Sequence, residues 1–168
     1  IEGEARRLRY ACLARSVGRG AVLLTAHHQQ DQAETVLLQL LRGTGVRGLA
    51  AMPMITSFSA GAMARPLLDF TREQIHAYAT QQGLCWIEDS SNLDECYGRN
   101  FIRQQVLPLI RTRWQQADRL LHRAAHNTRE ALELLDERAQ QDLQQCKLAD
   151  LSVLSISKIQ RLTQARLH

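Results

Sequence analysis

The chain has 168 residues, 45% hydrophobic and 23% charged, with 21 Lys and Arg against 17 Asp and Glu for a formal net charge of +4. That is one domain's worth of sequence at the usual ~100–200 residues, with enough apolar content to fill a core. No apolar run reaches the ~18 residues of a membrane-spanning helix, and the opening IEGEARRLRY has no apolar signal-peptide centre, so no membrane partner and a cytoplasmic location are expected. Only Lys147 and Lys158 are lysines, so almost all the positive charge is arginine. The planar guanidinium fork suits phosphate, and a basic, arginine-heavy chain fits a nucleotide or nucleic-acid partner. Cys12, Cys85, Cys96 and Cys146 are scattered with no C-x-x-C pair, so reduced, structural thiols are expected. His27, His28 and Cys85 could meet a metal, but nothing in their spacing requires one.

Residues 2–17 carry Ala5, Leu8, Tyr10, Cys12, Leu13 and Val17 among arginines, the pattern of an amphipathic helix ended by SVGRG. AVLLTA (21–26) has strand length and does not alternate, which predicts burial on both faces, as in a parallel sheet. Residues 30–42 read as helix closed by Gly43. GTGVRGLAAMPMITSFSAGAMARP is loop-rich, with room for one short strand. Thr71 and Gln74 form a capping box that starts a helix stopping near Gly83. CWIEDSSN reads as a short strand followed by turn residues. From Gly98 the chain turns helical: one segment broken at Pro108, then a long helix over 116–145 with Leu120, Leu121, Ala124, Ala131, Leu134, Leu135 and Leu143. A polar turn and a further helix follow. Strand–helix alternation at the front is that of a doubly wound α/β domain.

Three clusters could do chemistry. In AHHQQDQAETVLLQLLRG, Asp31 and Glu34 sit on neighbouring turns of one helix face, opposite Ala33, Val36, Leu37 and Leu40 and flanked by Leu38 and Leu41. A helix so apolar all round is buried, and buried carboxylates need cations: a basic substrate, a metal or an arginine. The plain alternative is that both simply favour the positive end of the helix dipole. The paired histidines at a strand's carboxyl end, where open α/β sheets hold ligands, weigh against it. In YGRNFIR, Arg99 and Arg103 are four apart on one face, with Asn100 beside them; the plain alternative is an exposed basic face. In EDSSN, Asp89, Ser91 and Asn92 form the third cluster; the plain alternative is an Asx turn capping the next element. RGTGVRG, with Arg42 and Arg47, is a basic loop suited to phosphate contact.

Taken in order, AHHQQDQAETVLLQLLRGTGVRGLAAM, RPLLDFTREQIHAYATQQGLCWIEDSSN and YGRNFIRQQVLPLI resemble tRNA(Ile)-lysidine synthetase, an N-type ATP pyrophosphatase of the PP-loop class, over about residues 4–145. LADLSVLSISKIQRLTQARL resembles the first helices of that family's all-helical second domain. The resemblance implies an α/β fold, part of a doubly wound parallel-sheet PP-loop domain. Residues 1–107 would be the C-terminal portion of that catalytic domain, 108–146 a helical linker and 147–168 the start of an all-α domain, truncated. It implies an ATP-dependent ligase, with magnesium, that adenylates the C2 oxygen of the wobble cytidine in the CAU-anticodon tRNA(Ile) reading AUA. The ε-amine of free L-lysine then displaces AMP, giving lysidine. It also implies a homodimer, which the long helix would support.

Residue by residue, the family's H-x-D-D-x-x-E-T motif falls on His28, Gln30, Asp31, Glu34 and Thr35. The resemblance puts Asp31, Glu34 and Arg99 at the lysine's charged groups, as lysine-binding and catalytic residues. It puts Arg6, Arg9 and His28 toward ATP, and Arg42, Arg47 and Arg103 toward tRNA phosphates. No protein metal ligands are expected. Gln30 stands where the family usually has the first aspartate of its pair, removing one negative charge. The family's SGGxDS loop, which cradles pyrophosphate with backbone N–H groups, and its C-terminal tRNA-binding domain do not occur in this sequence. Two alternatives differ in kind. A 2-thiocytidine synthetase-like PP-loop protein would need C-x-x-C pairs; a non-catalytic tRNA-binding remnant would grip phosphates and do no chemistry. The purified 168-residue chain is expected to show no ATP–pyrophosphate exchange. Exchange within about tenfold, or ~1.4 kcal/mol in barrier, of a full-length homologue would overturn that.

Overall fold

The computed structural model describes residues 2–87, 98–147 and 153–167. The Asp89, Ser91 and Asn92 cluster, Cys96 and the polar turn at 148–152 lie outside the described residues. Helix α1 (Glu2–Ser16) is followed by strand β1 (Val22–Leu24), helix α2 (Gln29–Leu41) and a short helix α3 (Val46–Leu49). Two strands come next, β2 (Ile55–Phe58) and β3 (Gly61–Ala64), then helix α4 (Arg72–Gln81). The sheet order is β1-β3-β2, with β1 parallel to β3 and β2 antiparallel to it. Where the sequence left room for one strand between residues 43 and 66 there are two, joined at Ser59, whose φ of 53° makes the tight reversal.

The short strand β1 corrects one expectation. Its unalternating apolar run predicts burial on both faces, yet Val22 is 54% and Leu24 66% exposed. Among the described residues β1 pairs on one side only, with β3. The amphipathic reading of α1 is also revised. Its Leu8 and Cys12 are exposed, and the helix is moored at its end by Tyr10 against the Phe58 ring and by the Ser59 hydroxyl donating to Ala14 O. No strand forms at Leu84–Ile87; instead the Trp86 ring packs edge-on against His76 of α4, 4.9 Å between centroids. The Thr71–Gln74 capping box is present in both directions, at 3.2 and 2.9 Å, and Gly83 ends the turn at φ 63°.

From Gly98 the helix runs on through the expected break. Helix α5 (Gly98–Phe101) passes through a π-helical turn at Ile102–Val106 into α6 (Leu107–Arg113). The Leu107 N–H donates to Ile102 O, five residues back, and Pro108 falls in the first turn of α6. Pro108 follows the π-helical turn directly, and the helix continues through it without a break. Helix α7 (Ala117–Cys146) is one residue offset from the expected span, and its Leu134, Leu135 and Leu143 are exposed. In its far half the buried residues are Asp142 and Cys146. Arg166 of α9 (Gln164–Leu167) forks onto Asp142, holding its carboxyl below the usual range. Helix α8 (Ile156–Ile159) follows the Ser155 N–H bond to Cys146 O at 2.8 Å. Among the described residues no helix is long and apolar enough to cross a membrane.

The core lies between α2, the helix beginning at Gly98, and α7: Ala33, Ile102 and Leu107 are buried, with Leu37, Leu38, Val106 and Leu121 around them. Arg129 of α7 donates to Ala50 O and, at 3.1 Å, to Ala51 O, fixing the turn after α3, where Ala51 has φ 48°. Burial there pulls the Arg129 guanidinium below its ordinary value, against the attraction of Glu133. Gly61 packs the β3 start against the chain leading into β1: a Cβ there would lie 2.3 Å from Ala21 O and 2.8 Å from Gly18 O. Both obstacles are backbone. Gly61→Ala should therefore cost about 1–3 kcal/mol, as overpacking does. Gly98→Ala, whose Cβ would come no nearer than 3.9 Å to Leu38 Cδ2, is the control. Urea melts in which both variants match the parent would refute this account of Gly61.

Candidate functional site

The site forms where β1 hands over to α2. Thr25 N–H extends the β1–β3 pairing to Ala64 O at 3.0 Å, and the Thr25 hydroxyl meets His27 Nδ1 at 2.9 Å. His28 is the N-cap of α2 in extended conformation, and its backbone N–H donates to Asp31 Oδ2 at 2.9 Å. Gln29 N–H is taken by Phe70 O at 2.9 Å, so the turn before α4 holds the start of α2. These bonds set the helix's rotation and send Asp31 and Glu34 inward.

Both carboxylates meet two arginines. Arg99 donates through Nε to Glu34 Oε2 at 2.7 Å and through Nη2 to Asp31 Oδ1 at 2.9 Å. Arg103 donates through Nε to Glu34 Oε1 at 2.6 Å, and through Nη2 to Glu34 Oε2 and Asp31 Oδ1, both at 3.1 Å. The Glu34 side chain is 0% and that of Asp31 11% exposed, while each arginine side chain is 26% exposed. The four formal charges sum to zero. Burial would lower the Arg103 guanidinium; its hydrogen bond and attraction to Glu34, helped by Asp31, hold it above its ordinary value instead.

Burial along α2 reverses the sequence expectation of a helix buried all round: Leu40 and Leu41 are exposed, and the carboxylate-bearing first turns are the buried part. The reason is the arginine pair, which makes a polar face fit for the interior. Asp31, Glu34 and Arg99 come together. So does Arg103, which the sequence assigned to RNA, although its spacing of four from Arg99 was the signal that the two share a face. His28 Nε2 is 3.4 Å from Asp31 Oδ2, and its Nδ1 is buried with no hydrogen-bond partner among the described residues. Arg42 caps the end of α2, exposed, and Arg47 is exposed and paired with Asp136 at 2.6 Å. Arg9 is exposed on α1; Arg6 lies in the same helix. Sequence reasoning missed Gln32, whose amide brackets Met52, donating to its carbonyl at 2.8 Å and accepting its N–H at 3.0 Å. No sequence signal announces that contact.

Chemically the cluster is a closed ion lattice. Removing one partner of a buried pair leaves an uncompensated charge and costs about 3–5 kcal/mol. Glu34→Ala is expected to destabilise the fold by about that much, measured by denaturant unfolding. A loss under ~1 kcal/mol, the worth of an exposed pair, would mean that the lattice is open to water.

Comparison with known proteins adds the family. The chain is 47% identical over 99% of its length to the tRNA(Ile)-lysidine synthase of Pseudomonas syringae pv. tomato, of which it covers 39%. It is 49% identical over 96% to that of Methylococcus capsulatus, covering 37%, and 43% identical over 95% to that of Coxiella burnetii, covering 36%. It thus spans less than half the length of these curated relatives. A family model described as a PP-loop domain matches residues 1–110. With that match covering most of the chain and the charge lattice seated at the end of β1, the chain belongs to the PP-loop domain family.

Proposed function

We propose that the whole protein of which this sequence is part is an ATP-dependent ligase that makes lysidine in the CAU-anticodon tRNA(Ile). The observation that carries the reading is the similarity to relatives named tRNA(Ile)-lysidine synthase over nearly all of this chain, with 47% identity in one of them. In this reading ATP adenylates the C2 oxygen of the wobble cytidine and pyrophosphate leaves. The ε-amine of lysine attacks C2, the C2–O bond breaks, and AMP departs with the oxygen. Residues 1–107 serve as part of the catalytic domain, 108–146 as a helical linker and 147–168 as the start of an all-α domain.

Within this segment Asp31, Glu34 and Arg99 form the lysine pocket: Asp31 and Glu34 receive ammonium groups and Arg99 the carboxylate. His28 Nδ1, buried without a partner among the described residues, supports a place beside the nucleotide, because a buried polar atom is normally satisfied. Arg6 and Arg9 serve the phosphates; Arg42 and Arg47 lie exposed, as contacts to RNA need. Magnesium, which the resemblance implies, finds no fit in this cluster. The carboxylate oxygens of Asp31 and Glu34 are bonded to arginines and to the His28 N–H, and no three His, Cys, Asp or Glu groups converge among the described residues.

A second reading, a tRNA-binding module without chemistry, is favoured by one observation: the carboxylates that would hold lysine are already neutralised. Radiolabelled lysine incorporated into tRNA(Ile), dependent on ATP, is the expected result for the whole protein. Asp31→Asn should cut lysine affinity about tenfold or more, the worth of a charge-assisted hydrogen bond. RNA binding with no lysine incorporation would favour the second reading.

A further inference from the structure

We propose that Arg103 is a positioning residue of the amino-acid pocket: it pins Glu34 and Asp31 so that a ligand's ammonium can take over the bonds Arg99 makes, and it does not bind RNA phosphate. The inference rests on the reading of the site as a lysine pocket. Among the described residues, Glu34 Oε1 is bonded by Arg103 alone, through Nε at 2.6 Å, while Nη2 of the same guanidinium reaches Oε2 at 3.1 Å. This is a side-on, two-pronged grip, the geometry that makes arginine pairs directional. An arginine that positions a nucleic acid presents that fork to a phosphate; in Arg103 the Nε–Nη2 edge is spent on Glu34.

The two arginines divide the work. Arg99 holds Asp31 Oδ1 and Glu34 Oε2, at 2.9 and 2.7 Å. If it swings away, these two oxygens keep only the longer 3.1 Å bonds from Arg103 Nη2 and can accept together from an incoming cation, and Glu34 stays fixed by its 2.6 Å Oε1 bond to Arg103 Nε. The burial of Glu34 makes that second bond necessary, because a fully enclosed carboxylate stripped of both guanidiniums is an uncompensated buried charge. The π-helical turn at Ile102–Val106 begins one residue before Arg103. Such turns recur at functional sites, and here the turn carries a side chain that the neighbouring helix depends on.

The test compares Arg103→Lys and Arg103→Gln with wild type in the whole protein, by lysine and ATP KM, kcat, thermal midpoint, and tRNA Kd across a salt series. Arg103→Lys keeps the charge and loses the fork. It should raise the lysine KM about tenfold, the cost of one charge-assisted hydrogen bond, leaving the ATP KM, kcat and RNA affinity as in wild type. Arg103→Gln, which leaves the lattice one positive charge short, should raise the lysine KM further and also lower the thermal midpoint. An unmoved lysine KM with weaker RNA binding and a salt slope smaller by about one would make Arg103 a phosphate contact and overturn the proposal. An equal loss in all constants with a lowered melting midpoint in Arg103→Lys would also overturn it, as a purely structural role. Wild-type protein that incorporates no lysine is a separate result, against the reading of the site itself.

Discussion

The structure turns on two carboxylates that have no business inside a protein until two guanidiniums arrive from sixty-odd residues away. Glu34 is fully enclosed, and every described contact around its charge is supplied by Arg99 and Arg103. An isolated buried carboxylate is among the most costly groups a fold can contain. Joining α2 to the helix that starts at Gly98 is therefore a condition for burying α2 at all. The apolar contacts of Ala33, Ile102 and Leu107 lie along the same seam. Hydrophobic burial brings the two helices together, and the ion lattice fixes their rotation, since only one phase of each helix lets five hydrogen bonds form at once.

That coupling explains the local choices on both sides. Asp31 serves twice: its Oδ2 accepts the His28 N–H that starts α2, and its Oδ1 takes one bond from each arginine. The helix start and the charge site are thus one construction, anchored by Gln29 to Phe70 O. On the opposing helix, the π-helical turn adds a residue to the winding between Arg99 and Pro108. Pro108, which has no N–H to donate, follows that turn directly. Arg129 and Gln32 then hold the loop between α3 and β2 from two directions.

Much of this was legible in the chain. Strand, helix and their junction at 21–42 follow from apolar run lengths and from carboxylates beside histidines, and the Thr71–Gln74 box is a purely local signal that the structure repeats. Paired charges also announced themselves: Asp31 with Glu34, and Arg99 with Arg103, each share a helix face by spacing. What spacing could not say is that the two pairs face each other, because that depends on the packing of segments far apart in sequence. Burial was the least readable property. An unalternating run such as AVLLTA is buried on both faces only when neighbours cover both, and among the described residues Val22 and Leu24 pair on one side alone and are exposed. The leucines of α7 fail for the same reason: periodicity names a face, not its cover.

A neutral lattice imposes a definite constraint on anything that binds in it. A cation entering a site with spare negative charge gains attraction outright, whereas here it must replace a charge already present. The exchange trades one set of charge-assisted hydrogen bonds for another, so its net free energy is a small difference between large terms. Discrimination then comes from shape and from the reach of the incoming group, since a misplaced cation leaves a buried oxygen unpaired and a displaced guanidinium without its acceptor. Arg99 and Arg103 are the more exposed members of the set, each about a quarter exposed at 26%, so a ligand meets arginine before it meets carboxylate. For an amino acid that order is favourable on the proposed reading: its carboxylate can engage the outward edge of a guanidinium first, drawing that side chain aside and exposing the acidic oxygens to the amine that follows. On that reading, selectivity for a zwitterion over a simple amine would follow from the lattice, because an amine alone has nothing with which to move the arginine.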